Sequence, residues 1–129
     1  MEDVLKKEPV QRVIKVLSNF DDSIKVEALS SSAKTAKDAA ISLKCDVGAI
    51  VKSLLLRTEN NFILCLVSGD KRCSLNKVKK ILKLKDVSMA DADQVKKQTG
   101  FSIGGVSPIA HLNKSKVLID ISLSRYEHV

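Results

Sequence analysis

Aromatic residues make up 3% of the 129-residue chain and tryptophan is absent. Any core must therefore be assembled from Leu, Ile, Val and Ala. Two prolines and five glycines are too few for a collagenous or low-complexity chain. No apolar run nears the ~18–20 residues that a bilayer crossing requires. Met1 to Lys7 is charged where a secretory signal would be apolar. A soluble, cytoplasmic protein with no membrane partner is the expectation. The three cysteines, Cys45, Cys65 and Cys73, are odd in number, show no C-x-x-C spacing and have no histidine close by. That argues against a disulfide framework and against a zinc site. Cys65, inside the apolar run Phe62 to Val67, reads as a small buried hydrophobe. With only His111 and His128 available, no Ser-His-Asp or Cys-His arrangement can be drawn. No carboxylate pair suggests glycosidase chemistry. Neither a metal nor a cofactor is expected.

What is present is an ordinary globular composition, 44% hydrophobic and 29% charged, of a length that fits one domain over residues 1–129. Lys and Arg outnumber Asp and Glu by 22 to 15, a net charge of +7. Such an excess favours a polyanionic partner, nucleic acid or an anionic surface, although solubility alone would also account for it.

Helix and strand signals alternate along the chain. Pro9 suits a first helical turn, and Val10, Val13, Ile14 and Leu17 follow as one apolar stripe. Ile24 to Leu29 is a strand candidate. Thr35 with Asp38 resembles a capping box, opening a helix that turns Ala36, Ala39, Ala40 and Leu43 inward and ends before Gly48. Ala49 to Arg57 and Phe62 to Val67 read as two strands joined by a turn at Thr58-Glu59-Asn60-Asn61, the second strand central because both its faces are apolar. Ser74 caps a helix through Lys83 with Leu75, Val78 and Ile81 or Leu82 inward. Asp91 with Gln94 opens another, which Gly100 stops. Lys116 to Ile121 is the last strand candidate. The pattern predicts a single α/β (α+β) domain with a mixed sheet flanked by helices.

Three features look chemical. Lys52 shares a strand face with Ile50, Leu54 and Leu56, an odd place for an ammonium, which should line a cleft, meet an anion or snorkel to water from an edge. The stretch Gly100-Phe101-Ser102-Ile103-Gly104-Gly105-Val106-Ser107-Pro108 is a tight loop whose main chain a ligand could approach, or simply a structural turn. It matches neither the P-loop nor the dinucleotide fingerprint. His111 follows it closely, near enough to reach a ligand or to serve as a hydrogen-bonded surface residue. Finally, Lys71, Arg72, Lys77, Lys79, Lys80, Lys83 and Lys85 form a basic stretch, either a solvated helix face or a phosphate-contacting surface. No aromatics are interleaved to support base stacking.

Taken in order, Thr35-Ala36-Lys37-Asp38-Ala39-Ala40, Ile50-Val51-Lys52-Ser53-Leu54, Val67-Ser68-Gly69-Asp70, Ala90-Asp91-Ala92-Asp93-Gln94-Val95, Thr99 to Pro108 and Val117-Leu118-Ile119-Asp120 resemble the YbaK family. That family is similar to the editing domain inserted in bacterial prolyl-tRNA synthetases. The resemblance runs from about Ile24 onward, and the pairing of Ile-Val-Lys-Ser with Thr-Gly-Phe-x-Ile-Gly-Gly-Val-x-Pro makes it specific. It implies a curved mixed sheet flanked by helices and hydrolysis of tRNA mischarged with Ala, Cys, Ser, Thr or similar residues. Lys52 matches the family's essential lysine, and Gly104, Gly105, Val106, Ser107 and Pro108 match the loop that shapes its amino-acid pocket. Main-chain N–H groups near Gly104 and Gly105 are expected to hold the ester carbonyl, with His111 nearby. Lys71, Arg72, Lys77 and Lys80 are the candidate tRNA contacts.

The implied partners are aminoacyl-tRNA and an aminoacyl-tRNA synthetase. Members of the family continue past the Val117 to Asp120 strand, so the fold is expected to be short at the C-terminus, as a natural short version or a truncated product, and a homo-oligomer is one way to cover the open edge. A catalytically degenerate, tRNA-binding relative is the alternative reading, and a generic basic nucleic-acid module ranks below it. Which amino acid is removed is left open, since Ala110 and His111 stand where members vary.

Overall fold

Three of the helices start at a residue whose side chain replaces a missing main-chain partner. Thr35 Oγ1 accepts from Asp38 N at 3.1 Å, Ser74 Oγ accepts from Lys77 N at 3.2 Å, and Asp91 Oδ1 accepts from Gln94 N at 2.8 Å. Gln94 Oε1 returns the bond from Asp91 N at 2.9 Å, completing a reciprocal box. The computed structural model describes residues 2–29 and 34–129. Its helices are α1 (Glu2–Leu5), α2 (Glu8–Phe20), α3 (Ala36–Leu43), α4 (Leu75–Leu82) and α5 (Ala92–Thr99). Its strands are β1 (Val51–Thr58), β2 (Phe62–Ser68), β3 (Val87–Met89) and β4 (Lys116–Ile119). Short 3₁₀ turns at Val47–Ala49 and Ile121–Arg125 flank the two ends of this set.

The strands form one mixed sheet in the order β3-β1-β2-β4. β1 runs antiparallel to both β2 and β3, while β4 lies parallel to β2 and is reached by the crossover through α4, β3 and α5. The two apolar runs pair from Val51 with Ser68 to Arg57 with Phe62, and the turn closes with Thr58 N donating to Asn61 O at 2.8 Å. β2 is central, as its two apolar faces require. One face carries Leu56, Ile63, Cys65 and Val67 against Val78 of α4. The other gathers Leu55, Ala90 and Val95 of α5, with Phe62 and Val106 packed on them. Leu56 and Leu64 are fully buried, each worth roughly 1.5–3 kcal/mol of transfer free energy.

The structure departs from the sequence expectations at several places. Ile24 to Leu29 forms no strand, because the sheet order leaves it no neighbour to pair with. Its Val26 instead lines a hollow beneath α2. The helix from Thr35 stops at Leu43, where Lys44 turns left-handed at φ 56°, and Leu43 is left exposed rather than inward. On α4 it is Leu82 that packs inward, whereas Ile81 is 68% exposed. The last strand ends at Ile119, since Asp120 caps the turn that follows by accepting from Ser122 N at 3.1 Å. β3 is only three residues long and carries no sequence signal of its own.

Candidate functional site

Residue parity along β1 decides what its open edge presents. Ala90 N donates to Leu55 O at 3.0 Å, so Leu55 and the residues two and four before it, Ser53 and Val51, direct their main-chain groups away from β2. β3 pairs only with Leu56, Arg57 and Thr58. Among the described residues the edge at Val51 and Ser53 therefore has no strand beside it. A cleft of about 380 Å³ lies there. Ala36 and Ala39 of α3 form one wall, Met89, Ala90 and Val95 another, and Ile103, Gly104 and Val106 the third, with the Ile50 to Leu55 stretch as the floor. The lining is mainly apolar and small, so it suits a short side chain.

Lys52 stands in this floor, half-buried. Its ammonium donates to the main-chain carbonyl of Lys71 in the turn after β2. Of the fates the sequence left open, the structure shows the first: Lys52 lines the cleft, with its head held by the Lys71 carbonyl. Among the described residues its partner is a carbonyl and not a carboxylate, so the positive charge is oriented without being neutralised. Beside it, Ser53 Oγ is buried and has no hydrogen-bond partner among the described residues. A ligand group that supplied one would remove that deficit.

The turn that holds Lys52 is itself held. Arg125, in the 3₁₀ turn after β4, donates to Asp70 Oδ1 at 2.8 Å, to Asp70 Oδ2 at 3.1 Å and to Ser68 Oγ at 2.9 Å. Ser68 Oγ in turn donates to Gly48 O, in the 3₁₀ turn that leads into β1. The hydrogen bonds from Arg125 hold the Asp70 carboxyl down at about 2, below its ordinary 3.8, with Lys71 and Ser68 adding to the effect. Asp70 and Arg125 were not singled out as site residues from the sequence, although Asp70 lies within the Val67 to Asp70 match. Their sequence separation hides the contact.

The glycine-rich loop is placed as one wall of the cleft, but not with all its residues facing in. Gly104 and Val106 line the cleft. Gly105 N–H is engaged with Ser102 O at 2.9 Å, which removes it as a carbonyl-holding donor and corrects the expectation of two such groups. Ser107 and Pro108 lie outside the lining. His111 Nε2–H donates to Ser107 O at 2.6 Å and its ring meets Phe101 edge-on with centroids 5.7 Å apart. It braces the loop instead of facing the cleft. Gly100 closes α5 at φ 82°.

Lys71 and Arg72 are exposed in the turn beside the Lys52 head. Lys77 and Lys80 are exposed on α4, whose Val78 faces the core. None of the four lines the cleft. Among the described residues no three His, Cys, Asp or Glu side chains cluster as a metal site, and no helix is long and apolar enough to cross a membrane.

A family model described as "Aminoacyl-tRNA editing domain" matches residues 30–129. A proline–tRNA ligase of Kosmotoga olearia is 32% identical over 90 residues, which are 70% of this chain and 16% of that protein. The chain thus spans a small part of the ligases it resembles. The uncharacterized protein YwhH of Bacillus subtilis is 30% identical over 105 residues, 81% of this chain and 66% of that one. A crystal structure described as a candidate trans-editing enzyme for prolyl tRNA synthetase superposes with a TM-score of 0.87 at 35% identity, covering 93% of this chain and 76% of the other.

Proposed function

Since the chain belongs to the aminoacyl-tRNA editing domain family, we propose that it is a trans-acting deacylase that hydrolyses the ester of tRNA mischarged with a small amino acid such as Ala, Cys, Ser or Thr. The observation that carries this is that Lys52, whose ammonium meets a carbonyl and not a carboxylate, lines a small, mainly apolar cleft at an unpaired sheet edge. An aminoacyl ester is already activated, so its hydrolysis needs placement and charge stabilisation more than a strong nucleophile. Lys52 neutralises the terminal phosphate or orients the ester. The edge groups of Ser53, its unpartnered hydroxyl and the main chain at Gly104 supply hydrogen bonds to the aminoacyl end. The walls, of alanine, glycine and valine with Met89 and Ile103, admit short side chains and exclude long ones, the logic of a second sieve. With a cysteinyl ester the substrate's own sulfur can attack its carbonyl carbon, closing a four-membered thiolactone as the acyl C–O bond breaks, and the thiol proton passes to the departing tRNA ribose oxygen.

Lys71 and Arg72, beside the Lys52 head, and Lys77 and Lys80 on α4 are proposed to meet tRNA phosphates. The partner supplying the substrate is an aminoacyl-tRNA synthetase, and the site of action is the cytoplasm. The test is hydrolysis of tRNAs charged with Ala, Cys, Ser, Thr and Pro, with wild type beside Lys52→Ala. Loss of one or two of these esters, slowed about 100-fold or more by the substitution, is expected. A folded protein that hydrolyses none of them would replace this reading with tRNA binding alone.

A further inference from the structure

The loop that walls the cleft also has a back. Its front residues Ile103, Gly104 and Val106 face the cleft, while Phe101, Ser102 and Gly105 border a second hollow of about 300 Å³. That hollow lies under α2, between the loop and Pro9, Val10 and Val13. A thin wall with open space on both sides keeps its place only if something fixes its ends.

Arg12 of α2 does so. Its Nε donates to Ala110 O at 2.9 Å and its Nη2 to Thr99 O at 3.2 Å, the two places where the loop leaves and rejoins the body. The guanidinium lies over the Phe101 ring, 4.7 Å from its centroid. Glu8, one helical turn earlier, holds Nη1 through both carboxylate oxygens at 2.7 and 2.8 Å. The approach is so close that a Cβ on Gly100 would come within 2.5 Å of Nη2. Ala110, whose carbonyl is gripped, has φ 63°, a left-handed value that alanine rarely adopts unless its surroundings impose it.

From this geometry we infer that Arg12 is a positioning residue that fixes the cleft loop and thereby sets which amino acid the cleft accepts. It is contributed by a helix that precedes the residues matched by the editing-domain model. The inference rests on the deacylase reading of the cleft. A planar fork is needed to reach both carbonyls while stacking on Phe101, so lysine, a point charge on a flexible stem, does not replace it.

The experiment compares wild type, Arg12→Lys and Arg12→Ala in two measurements on the full chain. One is the ratio of kcat/KM for the preferred aminoacyl-tRNA to that for the next larger amino acid on the same tRNA. The other is amide hydrogen exchange across the protein. Both variants are expected to lower the selectivity ratio by about 10-fold, with KM for the preferred tRNA nearly unchanged, because the phosphates are bound elsewhere. Exchange between Phe101 and His111 should rise by about 10-fold while the β1–β2 amides keep wild-type protection. An unchanged ratio, or an Arg12→Lys protein equal to wild type, overturns the inference. So does a uniform rise in exchange, or loss of fold in both variants, since Arg12 would then be a stability residue only. A wild type that hydrolyses no ester sinks the deacylase reading instead, and the exchange measurement still decides whether Arg12 holds the loop.

Discussion

Arg125 grips both carboxylate oxygens of Asp70, 55 residues earlier in the chain, at 2.8 and 3.1 Å. The pair matters because of what Asp70 precedes. Lys71, the next residue, lends its carbonyl to the Lys52 ammonium, and Lys71 N is tied back to Ser68 O at 3.0 Å. The last 3₁₀ turn of the fold thus fixes the turn that aims the cleft lysine. Because both members are partly exposed, the pair orients more than it stabilises.

The pH dependence follows from the depressed carboxyl. Asp70 titrates at about 2 in the folded protein, below the ordinary 3.8 that it regains on unfolding. Its contribution is therefore complete above the unfolded value and is lost as pH falls from about 4 towards 2. Thermal melting of wild type and Asp70→Asn should differ at pH 7, and the gap should close over that acid window. A gap independent of pH would show that the carboxylate charge is not what holds the turn.

Gly48, in the 3₁₀ turn before β1, and Gly69, in the turn after β2, should respond differently to a methyl group. A Cβ on Gly69 would lie 2.3 Å from Val47 O, a main-chain atom that cannot swing aside. Gly69→Ala is expected to lose about 1–3 kcal/mol in denaturant unfolding, the usual range for overpacking. On Gly48 the clash is with Tyr126 Oη at 2.3 Å and an Arg125 nitrogen at 2.8 Å, both tips of flexible side chains. Gly48→Ala should keep most of its stability while loosening Arg125 from Asp70. Its deacylation should fall further than its stability does.

How much of this was legible beforehand depended on whether the signal was local. The caps at Thr35, Ser74 and Asp91 and the stop at Gly100 are written in neighbouring residues and stand where the spacing put them. So does the β1–β2 hairpin, except that its first strand runs Val51–Thr58 and Ala49 belongs to the preceding 3₁₀ turn. Lys52 was conspicuous because an ammonium broke an apolar alternation. What escaped were contacts between distant segments: Arg12 with Ala110, 98 positions apart, and Arg125 with Asp70. An arginine on a helix or in a turn has no periodicity that announces its partner. Ile24 to Leu29 failed for a related reason, since a strand exists only where the topology provides a neighbour, and here none is provided.

The cysteines should separate cleanly by reactivity. Cys45 is exposed, Cys73 half-buried and Cys65 buried, and burial together with the adjacent Cys73 pushes the Cys65 thiol up to about 12. Only the thiolate attacks an alkylating agent, so at pH 8 Cys65 presents very little of its reactive form. Iodoacetamide followed by peptide mass mapping should label Cys45 first. Labelling of Cys65 should require denaturant. Early modification of Cys65 in the native protein would mean that this part of the core opens readily.

The size limit of the cleft gives the sharpest test of its role. Ala39 lies on α3, lines the cleft and is only half-buried, so a longer side chain there projects into the cleft without displacing the core. Ala39→Leu should therefore leave the melting temperature nearly unchanged. It should lower kcat/KM for the preferred ester by about 10- to 200-fold or more, since one methylene alone commands that range in an apolar pocket. Met89 stands on the opposite wall and is 49% exposed, so shortening it enlarges the cleft at little structural cost. Met89→Ala should raise activity on the next larger amino acid relative to the preferred one. Opposite shifts from the two walls would show that the space between them measures the side chain. If both variants deacylate with wild-type selectivity, the amino acid is bound elsewhere, and the lysine's place beside this cleft loses its meaning.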